Sequence, residues 1–393
     1  MSENKLRIAI VSDLHCHPTK VGDSPSTYLL TDKLRYPTND HPVESLIKII
    51  NNEESKLKVD LTLCPGDFTD KASLQGLISG WEFSLEINRE LESKNIIATI
   101  GNHDVDVYKN NSKYSSENVR GVKRGFPIKK EADRDIFWSK GCVFIEENEY
   151  RILVINSSHF HYDKESACKG EISPESIEYI ESYLIQNNDS KIQIAMSHHP
   201  PIEHPRKNLG EDDRIVNGEQ LLNLLGENNF DLFIYGHKHD PFIKYYSPQG
   251  KYRLPLFSAG SFSAGSNIMF AGLRNAFHII ELSKRQSKCK GQILTWTYLP
   301  EDGWKKNFDE SAFAPISGFG NEKNIDQIFE YLKALLETKK EMSWIEISEN
   351  IEDVNYLTPA DSKQLYKLLK ESGYMPDEHL WNNPKRIINL NLL

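Results

Sequence analysis

Five short polar clusters hold the residue types that do metal chemistry: Asp13-Leu14-His15, Gly66-Asp67, Gly101-Asn102-His103-Asp104, Ser197-His198-His199-Pro200 and Gly236-His237-Lys238-His239. Among them Asp13, His15, Asp67, Asn102, His198, His237 and His239 supply oxygen and nitrogen donors and no thiolate. That donor set suits Mn, Fe, Zn or Ni better than a structural zinc site. With one carboxylate shared, the set gives about four protein ligands to each of two ions, and two cations roughly 3.5–4 Å apart clamp a phosphate and hold a water between them. The glycines beside the ligands permit tight turns and close approach of a substrate.

The elements that must position these residues are legible from the apolar runs. Arg7–Ser12, Val59–Leu63, Ile96–Ile100, Arg151–Asn156, Lys191–Ser197 and Asp231–Tyr235 read as strands buried on both faces, and each of the five clusters follows one of them. Amphipathic segments lie between. From Ser173, a capping Ser is followed by Pro174 and then by Ile177, Ile180 and Leu184 on one helical face. Strands alternating with helices predict an α/β domain, and ligands collect outside the carboxyl ends of such strands. From about 242 to 298 the pattern turns strand-rich, which predicts a second sheet closing the domain. A lone D-x-H or G-D is weak evidence; all five clusters in this order, each at a strand end, form one specific pattern.

That pattern resembles the calcineurin-like metallophosphoesterase superfamily, whose signature runs D-x-H, G-D, G-N-H-D/E, H and G-H-x-H, and the match extends over roughly residues 5–300. The resemblance implies a β-sandwich of two mixed sheets flanked by helices. It implies one ion held by Asp13, His15, Asp67 and His239, and a second held by Asp67, Asn102, His198 and His237, with Asp67 bridging. His103 takes the place beside the leaving group and Asp104 that of its orienting partner. Of the histidine pair, His198 follows its strand directly and is preferred over His199. Manganese is the favoured metal. The stretches Gly66-Asp67-Phe68-Thr69-Asp70 and His198-His199-Pro200-Pro201 resemble the class III cyclic-nucleotide and glycerophosphodiester phosphodiesterases, whereas Lys71-Ala72 departs from the protein phosphatase pattern. The implied reaction is hydrolysis of a phosphate ester, most simply a nucleotide-like diester, by in-line attack of a hydroxide bridging the ions. A nuclease resembling the Mre11/SbcD branch and a phosphomonoesterase are the alternatives, and a non-catalytic scaffold is disfavoured because no ligand position is lost. His159 and His161, just after a strand, are candidate substrate contacts; Cys16 and His17 are read as rim residues.

Composition bounds the rest. The 393 residues suggest two or three domains. Here a catalytic domain over 1–305 is expected, then, past a Gly- and Pro-containing stretch, a mostly helical and winged-helix-like module over 306–393. The net charge of −10 argues against a molecule built wholly to sit on nucleic acid. The module from 321 on carries 9 Lys/Arg against 13 Asp/Glu, which points to a protein partner or oligomerisation. Residues 105–140 reverse the trend, with nine Lys/Arg against five Asp/Glu, and are the candidate grip for an anionic substrate, nucleic acid included. Insertions at 17–42 and 105–140 are where substrate identity is shaped. Mean hydropathy is −0.54, with no run near the ~18 residues that span a bilayer, and five scattered cysteines lack any C-x-x-C. A reduced, cytoplasmic, membrane-free protein acting on a small phosphate ester is expected.

Overall fold

The computed structural model describes residues 3–19, 26–33, 41–52, 57–187, 190–206, 209, 213–266, 268–269, 272–306, 312–377 and 383–392. Parts of the 17–42 insertion lie outside them. Strands in chain order are β1 (Asn4–Ile10), β2 (Leu61–Cys64), β3 (Asn95–Ala98), β4 (Cys142–Glu146), β5 (Tyr150–Ile155), β6 (Ile192–Met196), β7 (Leu232–Tyr235) and β8 (Pro241–Tyr246). They continue with β9 (Leu254–Ala259), β10 (Ala276–Arg285), β11 (Lys288–Leu299), β12 (Gly303–Lys305), β13 (Ile316–Phe319), β14 (Glu341–Ser343), β15 (Tyr374–Pro376) and β16 (Arg386–Asn389). Helices are α1 (Pro42–Ile50), α2 (Leu74–Glu90), α3 (Glu117–Gly121), α4 (Glu131–Lys140), α5 (Pro174–Gln186), α6 (Gly218–Glu227), α7 (Ile325–Leu336), α8 (Trp344–Asn350) and α9 (Pro359–Glu371).

Two large mixed sheets face each other. One runs β12-β11-β10-β1-β2-β3 with β13 added to β11, and the other runs β4-β5-β6-β7-β9-β8. In the first, β1, β2 and β3 are parallel, with Ile8 opposite Leu61 and Leu63 opposite Ile97. In the second, β5, β6, β7 and β9 are parallel. Parallel strands bring their carboxyl ends to a common edge, so the segments leaving β1, β2, β3, β6 and β7 converge.

The continuous apolar runs follow from burial on both faces. In β5, Ile152 and Val154 join the core between the sheets, whereas Leu153 and Ile155 turn outward beneath Ile177, Ile180 and Leu184 of α5 and Leu221, Leu222 and Leu225 of α6. Each such fully buried Ile or Leu contributes ~2 kcal/mol by removal from water. Helix α5 starts as its sequence predicts: Ser173 Oγ accepts from Ser176 N (3.1 Å), and Pro174 occupies the first turn.

Helices α7 to α9 and the small sheet β14-β16-β15 enclose a third core of their own, from Ile325 to Ile387. This module hangs on the edge of the first sheet. Gly318 N of β13 donates to Leu357 O (2.9 Å), and the Asp353 carboxylate accepts from Glu322 N (2.7 Å) and pairs with Lys323 (3.0 Å). Among the described residues no helix is long and apolar enough to cross a membrane.

Candidate metal centre

The site forms where five loops leave their strands. Asp13, His15, Asp67, His237 and His239 all have left-handed backbone, with φ between 49° and 70°. Such residues cost about 1–3 kcal/mol each and persist only where the surroundings hold them. Here the loops hold one another: Asp13 N donates to Gly66 O (3.0 Å), His15 N to Asp67 O (2.9 Å) and Gly236 N to His198 O (3.0 Å). Two glycines let the backbone come this close. A Cβ on Gly101 would stand 2.0 Å from Asp67 Oδ1, and one on Gly236 would stand 2.4 Å from Asp13 Oδ2.

Asp13, His15, Asp67 and His239 place one donor atom each within 4.8 Å of the others, all buried. His15 Nε2 and His239 Nε2 are 2.8 Å apart, and Asp13 Oδ1 is 3.4 Å from His239 Nε2. A second group lies beside the first: Asn102 Oδ1 is 3.0 Å from both His198 Nε2 and His237 Nδ1, and those two nitrogens are 3.3 Å apart. Asp67 Oδ2 serves both, at 3.8 Å from His15 Nε2 and 3.3 Å from His198 Nε2. The donor set fits a cation in each group. Unshared ring nitrogens turned toward one another satisfy one pair only if a proton lies between them, whereas a cation satisfies all of them at once.

Four of the seven, Asp13, Asp67, His198 and His237, are also held from behind, as metal ligands commonly are, whereas the buried His15 Nδ1 has no hydrogen-bond partner among the described residues. Asp67 Oδ1 accepts from His103 N (2.8 Å), and Asp13 Oδ1 from His237 N (2.9 Å). His198 Nδ1 lies 2.9 Å from Pro65 O, which turns Nε2 into the site, and the Asp213 carboxylate holds His237 Nε2 at 3.1 Å, which turns Nδ1 inward. Burial and then the charge of His239 push His15 down to about 3, so it stays neutral. Burial opposes the charge on Asp67, but the surrounding histidines, His198 foremost, hold its carboxyl well below the usual range.

The structure brings together all seven predicted ligands and sets His103 beside them, its ring 4.8 Å from that of His15. It brings His198, not His199, to Asp67; His199 Nδ1 bonds Ser157 Oγ (2.9 Å) behind the site. Three expectations are corrected. Asp104 does not orient His103: its carboxylate accepts from Asp67 N (3.0 Å), Thr69 N (3.1 Å) and Gly101 N (2.9 Å), which ties the loops after β2 and β3 together. The carboxylate on His103 Nδ1 is that of Asp70, at 3.1 Å. His159 stands apart from the ligands, against Phe160 and beside Arg120 and Trp138. His161 is buried, with Nε2 on Lys169 O (2.9 Å) and its ring edge-on to His199, so it backs the site rather than facing its opening. Sequence reading missed Asp70 and Asp213. The first had a signal, being the last residue of the Gly-Asp-Phe-Thr-Asp run; the second had none.

The basic stretch 105–140 is not one patch. Arg124 pairs with Glu82, Arg120 lies over Trp138 (4.7 Å), and Lys130 pairs with Asp133 (3.2 Å). Only its first part, around Tyr108–Asn110, lines a cavity that includes His103.

A family model described as calcineurin-like phosphoesterase matches residues 6–241, and a second described as wHTH-Calcineurin_assc matches residues 317–371. Similar solved structures include Vps29 of Chaetomium thermophilum, 9% identical over 76% of this chain and 90% of that one, with a TM-score of 0.30. They also include a hypothetical protein from Thermus thermophilus (12% identity, 74% and 99% covered, TM-score 0.36). A third is the phosphopantetheinyl hydrolase PptH of Mycobacterium tuberculosis (14% identity, 66% and 94% covered, TM-score 0.34). No curated protein matches the chain.

Proposed function

The chain belongs to the calcineurin-like phosphoesterase family, and on that premise we propose that it is a two-metal hydrolase of phosphate esters, acting on a diester of nucleotide type. The observation that carries this reading is the place of Asp67 Oδ2 between two complete donor groups (3.8 Å from His15 Nε2, 3.3 Å from His198 Nε2). Divalent cations bound there supply Lewis-acid activation of water and neutralise charge on the phosphoryl oxygens. Manganese is the metal we favour.

The chain's own residues supply the remainder. Asn102 and the four histidines orient the site, and Asp104 fixes the two loops that carry Asp67 and Asn102. His103 is the proton donor to the leaving oxygen. Burial works against its charge, but Asp67 and the Asp70 hydrogen bond outweigh it and raise its pKa above the usual histidine value. With Nδ1 bonded to Asp70, the proton available for transfer is the one on Nε2. Proton delivery of this kind contributes ~10²–10⁴-fold.

The test is hydrolysis of bis(4-nitrophenyl) phosphate beside 4-nitrophenyl phosphate by Mn²⁺-loaded protein, with Asp67→Asn as the blank and metal content measured on both. Diester turnover that the variant loses together with bound metal is the expected result. Metal-loaded protein that turns over neither ester rejects the proposal.

A further inference from the structure

The two donor groups of the metal centre are unequal in charge. The first has two carboxylates, Asp13 and Asp67, whereas the second has the shared Asp67 and the neutral Asn102. Their histidines are backed unequally too. His15 Nδ1 is buried without a partner among the described residues, and His198 Nδ1 meets a neutral carbonyl, Pro65 O (2.9 Å). Behind His237 stands a charge: Asp213 Oδ2 lies 3.1 Å from Nε2, the nitrogen turned away from the other donors. The group with fewer carboxylates inside it is the one with a carboxylate at its back.

Asp213 is held in that place by contacts of its own. It stands between β6 and α6, two residues before Ile215, whose N donates to Pro200 O (2.9 Å) in the turn that carries His198. The Lys238 ammonium, on a side chain 2% exposed, donates to both oxygens of the Asp213 carboxylate and to Leu209 O (2.8 Å). Lys238 is the residue between the ligands His237 and His239, and Asp240, which follows them, pairs with Arg206 (2.7 Å). One cation thus fixes the direction of the carboxylate, which is aimed at one imidazole ring. The paired ammonium cancels the field of the carboxylate at a distance, so its influence passes through the His237 hydrogen bond. A carboxylate on the far N–H of a metal-binding imidazole fixes the ring and strengthens it as a donor. By that route Asp213 acts on the second group and not on the first.

We propose that Asp213 is a positioning residue that sets how tightly the second group, Asp67, Asn102, His198 and His237, holds its cation, and that it leaves the affinity of the first group as it is. This rests on the two-metal reading above and adds to it a division of roles. The first group retains its ion by the charge of its own ligands, and the second by way of the hydrogen bond behind His237. The free metal concentration at which the centre becomes fully loaded is therefore set from outside the ligand set. Lys238, between two ligands but not one itself, serves by holding Asp213 in line.

The experiment is equilibrium dialysis of the full chain against a range of free Mn²⁺, with bound metal counted. It is repeated with Co²⁺, whose visible absorption reports the ligands around each ion. His237→Ala identifies the binding step that belongs to the second group. The wild type should bind two ions. Asp213→Asn should bind the first as the wild type does and the second about 10–100-fold more weakly, the cost of losing such a carboxylate. The Co²⁺ band of the second ion should shift with it, and that of the first should stay. Arg206→Met, which frees Asp240 and leaves Asp213 in place, should bind both ions as the wild type does. Unchanged affinity for both ions in Asp213→Asn overturns the inference. Equal weakening of both, loss of the fold, or a matching loss in Arg206→Met overturns it as well, because each makes Asp213 part of the scaffold alone. None of these readings needs turnover. A protein that binds two ions and hydrolyses neither nitrophenyl ester removes the hydrolase and leaves Asp213 its role, whereas one that binds fewer than two ions at saturating Mn²⁺ removes both.

Discussion

Asp70 is buried to 1% exposure and holds His103 Nδ1 at 3.1 Å, so it fixes both the ring plane and the nitrogen that faces the substrate. Neutralising it should cost what loss of a positioning carboxylate costs, about 10–100-fold in activity. We expect Asp70→Asn to lower kcat with KM nearly unchanged and to keep the metal content of the wild type, because Asp70 is outside the Asp13-His15-Asp67-His239 group. The basic limb of the kcat–pH profile should also move to lower pH, since His103 loses a partner that raises its pKa. A variant that loses metal in step with activity would show Asp70 to be a ligand, a real alternative given that His15, Asp70 and His103 also cluster within 4.8 Å. The exchange of roles between Asp104 and Asp70 has a simple cause. Residues 102–104 form a single 3₁₀ turn, in which successive side chains diverge by about 120°, so the neighbour of His103 in sequence is not its neighbour in space.

At the level of elements, the ligands were readable and their supports were not. A ligand that follows an apolar strand inherits its place from the strand, and parallel strands deliver their ends to one edge, so covalent adjacency alone located Asp13, Asp67, Asn102, His198 and His237. Asp213 reaches His237 from a loop 24 positions away, and no spacing rule encodes that. Strand β4 was missed because a short edge strand makes one ladder, with β5, and lacks the strong apolar run of its buried neighbours. Strand β13 was missed because it falls in the Gly- and Pro-containing stretch that precedes the helical module. The loops' tight packing makes its own prediction. In Gly101→Ala the new Cβ meets Asp67 Oδ1 at 2.0 Å and Asp67 N at 2.5 Å, both atoms of the shared ligand's own residue. Overpacking of this order costs about 1–3 kcal/mol. The variant should bind less than its full complement of metal and melt lower, whereas Gly121→Ala, whose Cβ meets nothing within 4 Å, should change neither. Full metal content in Gly101→Ala would mean that the loop after β3 yields without moving Asp67.

For the whole molecule, the two sheets are closed around buried polar groups whose protonation links folding to pH. His278 of β10 is fully buried between the sheets, with Nε2 on Ala259 O (2.9 Å) and Nδ1 on Thr295 Oγ1 (2.8 Å), and burial pushes it down to about 4. Burial holds His41 and His204 down to about 4 as well. A histidine kept neutral in the fold takes its proton first in the unfolded chain, so its share of stability is whole above pH about 6.5 and is lost as pH falls toward 4. For His278 the full span is on the order of 3 kcal/mol. Asp231 works in the opposite sense. Burial raises it to about 6 against the pull of Lys284, so it protonates in the fold before it does in the unfolded chain, and its contribution grows as pH falls through 6. The wild-type slope is therefore a sum of opposed parts, and the informative quantity is the difference between two proteins. Urea unfolding of the wild type and of His278→Gln, measured from pH 7 to pH 4, should give curves that converge on acidification, because only the wild type carries the His278 penalty. Curves that stay parallel across that window would mean that His278 is protonated in the fold, and that the seam between the sheets admits a charge at its centre.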